Sequence, residues 1–193
     1  YMSKKTLNAE NLTALGAKRL SELLLEVSTG SAEIKRRLRL ELSHNLGSAE
    51  LARDGTKRLA ALRKSKSYVG WRKRKSLIRD LTTQAQMITD RISTEDPTEA
   101  FGLLWEFIDL APSIYGRVND SRGEVSSVFR IALIRFKDIA PHAALNRHAL
   151  AHRVWEAYLN NEYGQFDGII GLLGPTLGDE GFDHLKAQIQ SHP

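Results

Sequence analysis

Apolar residues recur along this chain at intervals of three and four and nowhere alternate with polar ones over a strand's length, so the pattern predicts α-helices throughout. Asn8 precedes a short helix over 9–15 that Gly16 ends, and a second helix over 17–28 stops before Gly30. Leu20, Leu23, Leu24 and Val27 line one face of that second helix, a face that needs a partner. Ser31 opens a third helix in which Ile34, Leu38, Leu42 and Leu46 recur every four residues. Gly47-Ser48 ends it and caps a fourth, whose apolar positions are Leu51, Leu59 and Leu62. Gly55 in the middle of that helix reads as a weak point costing about 1 kcal/mol relative to alanine. Ser65-Lys66-Ser67 reads as a turn.

The clearest periodicity begins at Tyr68. Trp71, Ile78, Leu81, Ala85, Ile88 and Ile92 predict a helix of roughly six turns with these side chains, Trp71 included, facing the core. Ser93-Thr94-Glu95-Asp96-Pro97 ends it, with Asp96 as the cap and Pro97 at the first position of the next helix, where a missing N–H does no harm. The helix over 98–110 is apolar on nearly all sides apart from Glu106 and Asp109, so it is expected to be central and buried. A short helix follows through Tyr115. After a turn at 119–123, a helix over 124–139 carries Val128, Ile131, Ala132 and Phe136 as its inward residues, and Pro141 stops it. The last helices are expected over 146–159, 165–173 and 179–190, separated by Gly164, Gly174-Pro175 and Gly178.

The fold class these elements imply is all-α, with stacked antiparallel helix pairs of α-solenoid or repeat-like kind. Trp105 and Trp155, each in the first helix of a pair, are a loose internal echo, while the tetratricopeptide pattern is absent. The expected organisation is a basic N-terminal helical segment over 2–66 and a helical-pair segment over 67–193, in one continuous body.

Composition narrows the chemistry. At 193 residues, 41% hydrophobic and 26% charged, the chain can bury a core without staples. Cysteine is absent, which removes disulfides, thiolate metal sites and cysteine nucleophiles together. Basic residues near Met2 lead into Ala9-Glu10-Asn11 rather than an apolar run, and no stretch has the length of a membrane span; a cytoplasmic protein with no membrane association is expected. The net charge of +5 conceals an asymmetry: +11 over residues 1–80 and −6 over 81–193. Such a split favours either a polyanionic partner or one half docking on the other.

The cations concentrate in 55–79, which holds no Asp or Glu and ten basic residues: Lys57, Arg58, Arg63, Lys64, Lys66, Arg72, Lys73, Arg74, Lys75 and Arg79. A run like this can neutralise several phosphates, and the interleaved Tyr68 and Trp71 would offer faces for unpaired bases. Against this, positions 68, 71, 75 and 78 share helical spacing, which predicts that both aromatics are core.

Other constellations are weaker. His148, His152 and Glu156 share a helix face at metal-ligand spacing, but no further ligand is identifiable and no H-E-x-x-H motif is formed. Around Asn119-Asp120-Ser121-Arg122-Gly123-Glu124, a calcium-loop register would put Val118 and Arg122 at ligand positions, so the segment reads as a turn and a helix start. Glu95 with Asp96, and Asp179 with Glu180, sit where helix caps belong. No phosphate-binding glycine motif or nucleophile elbow occurs, so no cofactor, metal or catalytic residue is assigned.

Several segments together resemble a known family: Lys4-Lys5-Thr6-Leu7-Asn8, Leu12-Thr13-Ala14-Leu15-Gly16-Ala17 with Leu23-Leu24-Leu25, Trp71-Arg72-Lys73, Leu103-Leu104-Trp105, Leu110-Ala111-Pro112-Ser113 and Tyr163-Gly164-Gln165-Phe166-Asp167. They are similar to an uncharacterised family of bacterial helical proteins known only as a domain of unknown function. The resemblance covers nearly the whole chain and implies packing rather than chemistry, with no catalytic residue to carry over. Members of that family are often longer, which implies a fragment or a short member here. The leading functional expectation is a non-enzymatic helical scaffold that binds another protein; the alternative is nucleic-acid binding through the basic stretch 57–79.

Overall fold

The computed structural model describes residues 5–192, without the side chain of His44. The opening Tyr1-Met2-Ser3-Lys4, part of the leader and resemblance arguments above, and Pro193 lie outside the described residues. Among the described residues the fold is all-α, and β geometry is confined to one isolated parallel bridge between Val69 and Val118. The chain divides into two compact units, the first ending at Leu42 and the second beginning at Ser43. The helix Ser48–Lys64, which composition groups with the basic N-terminal segment, packs within the second unit because its leucine face meets the central helix there.

In the first unit, α1 (Ala9–Thr13) is capped by Asn8, whose side-chain oxygen accepts from the Asn11 N–H at 2.8 Å. It packs on α2 (Gly16–Ser28), and α3 (Ala32–His44) begins in the same unit. Among the described residues of α2, Ser28 alone is buried: Leu24 and Val27, expected to face a core, are exposed. In α3 the burial falls on Leu40 and Ser43 rather than on the stripe, with Ile34 and Leu42 exposed.

The second unit contains the main core. α4 (Ser48–Lys64) is followed by α5 (Trp71–Gln86), which runs on through a π-helical segment, Met87–Ile92, into α6 (Ser93–Glu95). Gly55 of α4 is buried, and a Cβ there would lie 2.8 Å from Met87 Cε. The residue expected to weaken α4 thus lies against the end of the Met87 side chain, which would have to shift to admit a Cβ. Asp96 accepts from the Glu99 N–H at 3.0 Å and caps α7 (Pro97–Asp109). As its composition predicts, α7 is the central rod. Phe101, Leu104, Phe107 and Ile108 are buried, and α4, the π segment, α8 (Ala111–Tyr115), α9 (Glu124–Ile134) and α10 (Phe136–Ile139) all pack on it. Trp105 and Phe101 meet Phe136 edge-on at 5.4 and 5.2 Å, and Trp105 also lies 5.0 Å from Phe166.

The single helix expected over 124–139 is broken at Arg135. Val125, Phe129, Ala132 and Leu133 form its buried side, so Ile131, one position off that face, is exposed. Arg135 itself donates to Asp90 Oδ1 at 3.0 Å and to the Thr89 carbonyl at 3.2 Å, tying the break to the π segment. A 3₁₀ turn, Ala140–His142, leads to α11 (Arg147–Leu159), which packs along α12 (Ile169–Ser191). α12 passes through Pro175, where a break was also expected, and bends at Gly178, as expected, with a φ of 58° and ψ of −174° that are glycine geometry.

Candidate polyanion-binding surface

α4 ends at Lys64, α5 starts at Trp71, and the turn between them is tied down from beneath. Arg117, buried in the second unit, donates to the Leu62 and Ser67 carbonyls at 3.3 Å each. The Val69 N–H in turn donates to the Arg117 carbonyl at 2.8 Å, completing the bridge to Val118. Burial, and then the Arg58 cation, hold the Arg117 pKa below its ordinary value. This clamp was not visible in the sequence, because its partners lie 50 and 55 residues away. A lone arginine in a helical stretch carries no signal of such a role.

With Val69 pinned inward, its neighbours face solvent. Tyr68 is 69% exposed and Trp71 is 75% exposed, against the expectation that both are core. The reason is register. α5 buries Leu77, Asp80, Leu81, Gln84 and Ala85, and one turn back from Leu77 lies Arg74. Trp71 shares the opposite side of the helix with Arg72, Lys75 and Arg79, all exposed. The Arg72 guanidinium lies over the Trp71 ring at 5.2 Å, a cation–π contact that leaves the pair facing water.

The ten predicted cations separate into groups. Arg58 reaches Asp80, which is buried, with its Nε at 2.9 Å, so it serves the interior. Arg74 joins Glu124 at 3.2 Å and donates to the Asn119 carbonyl at 3.3 Å, fastening the start of α5 to the turn before α9. Arg63 pairs with Asp109 at 3.2 Å beside a shallow cleft lined by Leu59, Ala60, Lys64 and Glu106. At Arg63 and Arg74 the basic stretch does dock on the acidic part of the chain. Lys57, Lys64, Lys66, Arg72, Lys73, Lys75 and Arg79 are exposed, six of them in the span 64–79 around the two aromatics.

The remaining constellations are brought to other ends. His148 Nε2 lies 3.0 Å from Glu180 and its ring stacks on His184 at 4.6 Å, while His152 meets Gln188 at 2.8 Å. The two histidines of the expected three-residue face are thus each taken up by α12 partners. Asp120 accepts from the Val125 and Ser126 N–H groups at 2.8 Å each, which makes the 119–124 segment a helix start. Glu95 accepts from the Ser48 N–H at 3.1 Å. Tyr115, between Phe129 and Tyr163, is pushed up to about 12 by burial and then by Asp120. No helix among the described residues is long and apolar enough to cross a membrane.

Fold and surface together define an all-α protein with an exposed basic and aromatic turn joining two of its core helices. The chain belongs to the family described as "Family of unknown function (DUF6880)", whose profile matches residues 2–192. No curated protein and no solved structure matches it.

Proposed function

We propose that this protein is a non-enzymatic binding module of the cell interior that takes nucleic acid through the 65–70 turn and the exposed face of α5. The observation that carries this reading is the solvent-facing Trp71, 75% exposed, set among cations on a segment without a carboxylate. The exposed indole offers a flat face on which a base can stack, and phosphate neutralisation by the surrounding lysines supplies affinity without a shaped pocket. The helices of the second unit, following one another as packed neighbours in a repeat-like stack, serve as the rigid support. Fluorescence polarisation with labelled DNA and RNA tests it: binding should be present at about 50 mM salt and fall by orders of magnitude by about 200 mM. Lys73→Glu with Lys75→Glu should abolish it. Binding that ignores salt, or none at low salt, overturns the reading.

A second reading, protein–protein interaction, is favoured by α2, whose Leu24, Leu25 and Val27 are exposed on an amphipathic helix. Leu24→Ser with Val27→Ser should then solubilise the chain or lower its apparent mass in light scattering; an unchanged monomer counts against it.

A further inference from the structure

We infer, resting on the nucleic-acid reading above, that the ligand is single-stranded, with a base stacked on Trp71 and its flanking phosphates carried by Lys75 and the lysines of the turn. In a duplex the faces of the bases are already stacked on one another, so a duplex has no use for an exposed indole and would meet this surface by phosphate contacts alone. A single strand offers both chemistries, and this surface presents both within one turn of helix. Lys75 follows Trp71 at i+4 and so stands about 6 Å further along the same face of α5, with Arg79 a second such step beyond. Lys64 and Lys66 lie on the other side of the indole in the chain, with Tyr68, itself exposed, between them and Trp71. A strand crossing the turn thus finds exposed cations and two exposed aromatic rings in the same short stretch of chain.

Two further features fit an unpaired strand. The Arg72 guanidinium over the Trp71 ring extends the stacking platform with a second flat cationic group, of the kind on which bases also stack. The platform is also held in place before binding. Val69 and Arg117 fix the turn, and Arg74 with Glu124 fixes the first turn of α5, so little ordering of the backbone opposes the ligand. The contacts this inference uses, stacking on an aromatic face and neutralisation of phosphates, are open to every base, so the recognition tolerates any sequence.

The test uses the full chain and four probes: oligo-dT and oligo-U of fifteen nucleotides, a blunt DNA duplex of the same length, and heparin. Of the three tryptophans, Trp105 and Trp155 are buried, so a base stacking on the protein reports through Trp71. Both single strands should quench the tryptophan emission and bind at least several-fold more tightly than the duplex, while heparin binds without quenching. Trp71→Ala should weaken the single strands roughly ten-fold and leave heparin unchanged, and Trp71→Phe should retain most of the affinity. Circular dichroism and melting temperature show whether each variant folds, and quenching of the wild-type chain stands without any variant. If no probe binds in a salt-dependent way, the nucleic-acid reading itself falls. If duplex and heparin bind as tightly as the single strands and Trp71→Ala changes nothing, the phosphate surface stands and the stacking inference is overturned.

Discussion

α2 and α7 are helices of the same length, thirteen residues each, both with an apolar face, and they end in opposite circumstances. α7 buries seven of its residues beneath the segments packed around it, whereas α2 buries a serine and leaves Leu25 70% exposed. The difference lies in pattern as well as position. α7 is apolar around most of its circumference, so any rotation buries something, and it can serve as the rod on which others pack. α2 is amphipathic, with Lys18, Arg19, Glu22 and Glu26 opposite Leu20, Leu23, Leu24 and Val27, and its stripe has meaning only where a partner meets it. Periodicity therefore states which face a helix can bury, and composition around the whole circumference states whether burial is obligatory.

The strongest way to break this comparison is to empty the two helices in parallel. Phe101→Ala removes a ring that meets both Trp105 and Phe136 and should cost about 3–5 kcal/mol in urea unfolding followed at 222 nm. Leu25→Ala should change stability by no more than about 0.5 kcal/mol. Equal costs would mean that α2 is as deeply engaged as α7 and the contrast is false.

Next in size is the clamp. Arg117→Met keeps the aliphatic stem and deletes both donors, leaving the Leu62 and Ser67 carbonyls without that partner. A loss of about 2–3 kcal/mol is expected. The same variant should raise hydrogen exchange at Val69, and unchanged protection there would show that the turn is held by something else. Gly178→Ala follows at about 1–3 kcal/mol, since the bend of α12 uses a φ/ψ combination that side chains resist. A neutral result would mean that the bend can be straightened without loss.

What the sequence disclosed and what it withheld follow the same physical line. The burial of α7, the Asp96-Pro97 start and the helix after Gly178 were legible because each is decided by residues a few positions apart. The cation run was legible too. Its sorting was not: Arg58 goes to Asp80 at a distance of 22 residues and Arg74 to Glu124 at 50, and neither separation leaves a periodic trace. The π segment was hidden for a related reason, since one wider turn shifts the register of a helix without altering its composition. The contact of Gly55 with the end of Met87 was hidden as well, since propensity concerns the isolated helix and says nothing of what packs on it.

Trp71 is the position where local pattern and tertiary structure disagree most openly, and it gives the smallest expected effect and the sharpest test. The spacing 68, 71, 75, 78 is helical, but helical spacing holds for every face of a helix, and α5 buries the face through Leu77 and Leu81 instead. Tyr68 precedes the helix altogether, so its place in that spacing had no geometric content. If the exposed reading is right, Trp71→Ala removes a large side chain from water and one cation–π contact, and these should nearly cancel to leave stability within about 0.5 kcal/mol of wild type. A core tryptophan would instead cost about 3–5 kcal/mol. Trp105→Ala in the same background supplies that larger value as an internal control, since its ring is enclosed by Phe101, Phe136 and Phe166. A single pair of urea curves therefore separates the two environments, and a destabilised Trp71→Ala would return the residue to the core and remove the aromatic half of the binding surface with it.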